Sequence, residues 1–200
     1  MNYRKFNDFY NESLEVLASK GYQHVKKNST FIYVDKSPVS AYFCQEDKVI
    51  VTSKLSWRSC FIHEYSHFLQ YEFSNKEYTK FLERADQSLI DFYAWLYDEK
   101  KLSKRKLLQA ICLIQKLELD AEKMTVDIFI ERNLDMNLEK YIKEANAYIL
   151  SYTYMMEHKV GFPLKKHYPK ALIDAMPSKF ISSFEIPKKA KTFFDVYFSE

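Results

Sequence analysis

The sequence predicts a predominantly helical α+β fold: an N-terminal helix and a small antiparallel sheet, followed by a bundle of about four long helices. Three observations carry this. Only 2 of 200 residues are glycine, against about 7% in ordinary chains, which disfavours sandwiches, barrels and glycine-loop nucleotide folds with their many positive-φ turns. From Ser56 to His158 the apolar residues recur with a 3.6-residue period. All five prolines lie outside those periodic stretches, four of them after Gly161, as expected of a residue that breaks helix interiors.

Taken in order, Phe6, Phe9, Tyr10, Leu14, Leu17 and Ala18 fall on one helical face, and Gly21 stands where a helix ending near Lys20 would be capped. The stretches 29–35 (STFIYVD), 39–45 (VSAYFCQ) and 48–52 (KVIVT) are rich in β-branched and aromatic residues, with Ser37, Pro38 and the Glu46, Asp47 pair as punctuation, and predict a three-stranded meander. Helices are predicted over about 56–73, 75–98, 103–132 and 137–158, with the charge-rich joint 98–106 between the second and third of these. The length fits a single domain, 1–200, with helix and sheet in 1–55, a helical core in 56–158 and a segment packed on the body in 159–200.

The overall charge is +3, too weak to imply nucleic acid, and no specific nucleic acid partner is predicted. The excess is local: residues 158–200 hold eight lysines and four acids. This basic C-terminal segment reads as a solvated face, or as a contact for an anionic partner. Cys44, Cys60 and Cys112 form no CxxC pair, and no leader is recognisable at the N-terminus, so a cytoplasmic protein is expected. The apolar runs are far shorter than the roughly 20 residues of a membrane span, so no membrane association is predicted.

Chemistry concentrates in the helix after the sheet, where His63, Glu64, Tyr65, Ser66 and His67 form an HExxH motif. Side chains at i and i+4 stack on one helix face, so the two imidazoles can converge on one ion while Glu64 leans toward a water bound to it. The motif arises by chance in roughly one chain in a hundred of this composition, so a further ligand is needed. In the helix over 103–132, Lys116, Asp120, Lys123, Asp127 and Glu131 make a continuous polar stripe and read as solvated. Leu107, Ile111, Ile114, Glu118, Ala121 and Thr125 make another face, largely apolar. Glu118 interrupts that face, and Glu122 lies one turn beyond. Burying such a carboxylate is costly unless it is paired or binds a metal, and a zinc ion with its histidines would supply the missing positive charge. Cys60, one turn before His63, reads as a buried free thiol, and Cys112 as core. His24 and His167 are expected in loops.

HEYSH on one helix and Glu118-Leu119-Asp120-Ala121-Glu122 on a later one resemble the gluzincin branch of the zincin metallopeptidases, as found among small HExxH proteins of phage and bacterial type. The match covers two short motifs within about residues 56–126. The resemblance implies a zincin-like domain holding one Zn2+ through His63, His67 and Glu118. It implies Glu64 as general base, and Glu122, where the family usually carries Asp or Asn, as the group fixing an imidazole. Implied too is hydrolysis of a protein or peptide substrate, in which zinc lowers the pKa of its bound water to about 7 and polarises the scissile carbonyl. Such sites usually add an oxyanion donor. The candidates lie in the 137–158 helix, where Tyr148 and Tyr152 share one face and Tyr154 and His158 another. The segment 41–44 (AYFC) is a candidate edge for an extended peptide. The alternative to a peptidase is a metal-binding regulatory or interaction module on the same scaffold.

Overall fold

The computed structural model describes residues 3–34, 37–55, 57–161, 168–182 and 184–198, and within them the chain is mostly helical with a small β component. The elements in order are α1 (Tyr3–Ser19), β1 (Gln23–Lys26), β2 (Ile32–Val34), β3 (Ser37–Val39), β4 (Ala41–Cys44), β5 (Val49–Thr52), α2 (Trp57–Phe73), α3 (Lys76–Leu96), α4 (Lys104–Glu131), α5 (Leu138–His158), α6 (Lys170–Ala175) and α7 (Lys188–Phe198). The five predicted helices before Gly161 are all present. Ser56, the predicted start of α2, lies outside the described residues, as does His167. Among the described residues no helix is long and apolar enough to cross a membrane.

The chain divides into two compact units, Met1–Ser74 with Ala121–Met136, and Asn75–Asp120 with Asn137–Glu200. In the first, α1 ends in a Schellman arrangement: Gly21 N–H donates to the Ala18 carbonyl (3.0 Å) and Tyr22 N–H to that of Leu17 (2.9 Å), with Gly21 at φ 79°. Tyr22 and Leu17 are both buried, supplying the apolar contact that accompanies this cap. The sheet departs from the expected antiparallel meander. Its order is β1-β5-β4; β4 pairs antiparallel with β5, but β1 pairs with β5 in parallel, so the sheet is mixed. The predicted strand over 39–45 is split at Ser40, and Val39 belongs instead to β3, which pairs with β2 in a separate two-stranded sheet. The segment Gln23–Lys26 has one β-branched residue and no alternating pattern. It is a strand because the fully buried β5 needs backbone partners along both edges.

His24 therefore lies in β1 and not in a loop. Its Nδ1 is 2.8 Å from the Tyr10 hydroxyl and its Nε2 2.9 Å from Thr52 Oγ1. Phe61 of α2 is fully buried, packing on Tyr10 (centroids 4.8 Å apart) and on His24 (4.7 Å). Phe68 packs edge-on against Tyr22.

In the second unit, α3 and α5 begin at Asn75 and Asn137, whose side chains accept from the backbone N–H of Tyr78 and Lys140, as N-caps do. Phe92, Ile111, Ile114 and Met155 form one core cluster, and Ile149, Leu150, Leu172 and Phe194 lie in another. Leu107, Ile111, Ile114, Glu118, Ala121 and Thr125 of α4 are buried and Lys116, Lys123, Asp127 and Glu131 exposed, as predicted, but Asp120 on the outward stripe is half-buried and accepts from the Tyr78 hydroxyl at 2.9 Å. Cys112 corrects the expectation of a core thiol, because it is exposed. It sits four residues before Lys116 on the outward stripe, and an apolar run does not decide which of its members face inward.

Burial, with the charge of Lys26, pulls the pKa of His24 down to about 4 from 6.5. Between these values the unfolded chain binds the proton and the folded chain does not, so stability falls as pH drops from about 6.5 toward 4. His24→Gln is expected to flatten that part of the Tm profile, measured by circular dichroism. A profile identical to wild type would place the acid sensitivity elsewhere.

Candidate metal centre

Helix α2 presents opposite faces to different surroundings. Phe61, Tyr65 and Phe68 turn into the aromatic core of the first unit, with Phe9 against both Phe61 and Tyr65. Ser66 meets α4, with its hydroxyl 2.9 Å from Thr125 Oγ1, and both residues are fully buried. Small side chains at this contact let the two helices approach closely. His63 and His67 follow on α2, one turn apart, with ring centroids separated by 4.8 Å and planes nearly perpendicular.

One ligand atom each from His63, His67 and Glu118 all lie within 4.8 Å of one another. Tetrahedral zinc, with bonds of about 2.0–2.2 Å, holds its ligand atoms ~3.3 Å apart, so modest side-chain movement closes the three onto one ion. The donor set suits such an ion: two imidazoles and a carboxylate leave a fourth position for water. Glu118 lies one turn before Glu122 on the unbroken α4, and both are buried at 6% exposure. A divalent cation supplies the charge that two desolvated carboxylates on adjacent turns require.

The groups behind these atoms are equally specific. His67 Nδ1 lies 2.8 Å from Gln70 Oε1; an N–H at Nδ1 donating to that oxygen leaves Nε2 as the metal-facing lone pair. His63 Nδ1 lies 3.3 Å from Glu122 Oε1. The Tyr152 hydroxyl donates to Glu118 Oε1 at 3.5 Å and is 3.1 Å from the Tyr148 hydroxyl. Burial, reinforced by the Glu118 charge, raises both phenols well above their ordinary range, so they stay protonated as donors. Glu64 is buried at 8% exposure. The Cys60 thiol is pushed up to about 12, first by burial and then by Glu64; as a whole residue Cys60 is only half-buried.

The structure thus brings together His63, His67, Glu118 and Glu122, and sets Tyr148 and Tyr152 beside Glu118. It does not bring His158 there. That side chain is exposed at the end of α5, stacked on Tyr154 at 4.0 Å and 4.0 Å from Asp195. Sequence reasoning missed Gln70, whose signal is its place three residues after His67, one helical turn on. It also missed the contact between Ser66 and Thr125, the one read only within the HExxH motif and the other only as part of the apolar face.

No protein-family model, curated protein or solved structure matches this chain. The functional reading rests on the geometry.

Gln70→Leu removes the acceptor behind His67 while preserving bulk. It is expected to weaken binding of a divalent metal by about 10- to 100-fold, measured by competition against a chromophoric chelator. Unchanged affinity would show that the Gln70 contact does not orient a ligand.

Proposed function

We propose that this protein is a zinc-dependent metallopeptidase of gluzincin type, with His63, His67 and Glu118 as ligands and Glu64 as general base. The observation that carries the reading is the approach of these three ligand atoms, two from α2 and one from α4, to within 4.8 Å of one another, with the buried Glu64 between the two histidines on α2. Zinc bound there supplies Lewis acidity toward a water and a scissile carbonyl.

The chain's own residues do the rest. Glu64, next to His63 on α2 and largely withdrawn from solvent, accepts a proton as the water oxygen bonds to the carbonyl carbon. It then delivers that proton to the departing amine nitrogen as the C–N bond breaks. Tyr152, held to Glu118, steadies the carboxylate ligand. Tyr148, protonated and 3.1 Å from the Tyr152 hydroxyl, is the candidate donor to the oxygen on which negative charge develops, its O–H turning from Tyr152 to that oxygen. Strand β4 is an edge of the three-stranded sheet, so its outer backbone groups can pair with an extended peptide.

Glu64→Gln is expected to lower hydrolysis of a peptide library by about 100- to 10,000-fold, read as new N-termini by mass spectrometry, with zinc content retained. Equal cleavage by wild type and variant would remove Glu64 from the chemistry. A wild-type chain that binds no zinc would overturn the reading itself.

A further inference from the structure

A second feature lies in the first unit and shares no residue with the candidate metal centre. The parallel strands β1 and β5 end together, with Lys26 in register with Thr52. The loops that follow are tied by a 2.8 Å bond from Lys54 N–H to the Ser29 carbonyl, and α2 starts immediately afterwards at Trp57. Around this end of the sheet is a cavity of about 620 Å3 whose lining includes Lys26, Lys27, Lys54, Arg58, Trp57 and Tyr3 and no acidic residue.

None of these four cations has an ion-pair partner among the described residues. Rings hold two of them instead: Lys26 Nζ is 4.3 Å from the Trp57 ring centroid, and the Arg58 guanidinium is 4.8 Å from Trp57 and 4.7 Å from Tyr3. Cation–π contacts fix position without neutralising charge. Arg58 Nε is buried and has no hydrogen-bond acceptor among the described residues. Its placement also breaks a local rule, since the first turn of α2 contains no acid and carries a cation where the helix dipole favours an anion. A locally unfavourable choice of this kind marks a site built for something other than stability.

We infer that this cavity binds the polyphosphate group of a small soluble ligand. Four positive charges gathered at the carboxyl ends of two parallel strands favour a multiply charged anion, and the volume lies in the range of small-molecule sites. Lys26 and Arg58 occupy the Trp57 ring, so it offers no platform for stacked bases, and single-stranded nucleic acid fits less well.

The test is calorimetric titration of the full chain with inorganic tripolyphosphate, in excess chelator so that no metal at the histidines takes up phosphate. This separates the inference from the peptidase reading, and either can fail alone. Binding is expected at 0.15 M salt, weakened about tenfold by Arg58→Gln and by Lys54→Gln and unaffected by Lys80→Gln on the exposed face of α3. Arg58 packs on rings, so if that variant fails to fold, the exposed Lys54 together with Lys27→Gln decides the matter. Absence of binding, equal binding by the cavity variants, or an oligothymidylate that binds without being displaced by tripolyphosphate would each overturn the inference.

Discussion

The candidate centre depends on the close approach of α2 to the C-terminal half of α4. That approach rests on Ser66 and Thr125, two small buried residues whose hydroxyls meet at 2.9 Å. One hydroxyl donates to the other, and the second donates to its own helix, where the Ile62 carbonyl lies 3.0 Å from Ser66 Oγ and the Ala121 carbonyl 2.9 Å from Thr125 Oγ1, so polar atoms are buried without being orphaned. A larger side chain at either position would drive the helices apart and carry the Glu122 carboxylate away from the His63 imidazole. The aromatic layer on the other face of α2 fixes the rotation of that helix. With Phe61 and Phe68 fully buried, a turn of α2 about its axis would expose them, so the histidines stay aimed toward α4.

The helices and the approach of His63, His67 and Glu118 could be read from the chain, because both depend on spacing. Periodicity bounds α1 to α5 within a few residues, and the i, i+4 spacing of the histidines with a glutamate on an apolar stripe marks the residues whose donor atoms a metal site requires to converge. What could not be read is what pairing decides. Gln23–Lys26 becomes a strand through the backbone demand of β5, and nothing in its side chains announces this. Cys112 faces outward although its neighbours are apolar, since only the stripe through Ile111 and Ile114 meets a partner. Gln70 has the composition of ordinary helix filler until the ring it faces is known.

Charge in this protein is arranged along α2 and α4 in a way that composition conceals. A net of +3 is nearly neutral, yet the first turn of α2 lies among four cations while Glu64, Glu118 and Glu122 are buried carboxylates. The low dielectric that makes those carboxylates demand positive charge also raises the phenols of Tyr148 and Tyr152. Burial therefore has opposite consequences for the two groups: the acids seek a cation, and the phenols remain neutral donors.

Each candidate ligand is backed by a different kind of side chain, and the differences carry a consequence. An amide oxygen lies behind His67, a carboxylate behind His63, and a phenol behind Glu118. A carboxylate facing Nδ1 draws the proton toward itself and raises the electron density of the ring, making Nε2 the stronger donor, whereas a neutral amide orients the ring with less effect on its basicity. A phenol donating to Glu118 does the reverse, withdrawing charge from the oxygen it touches. Were a metal held there, the three candidate ligands would differ in donor strength, with His63 strengthened, His67 held in place and Glu118 moderated. That grading would come from groups outside the candidate ligand set: Gln70 one turn after His67 on α2, Glu122 one turn after Glu118 on α4, and Tyr152 on α5.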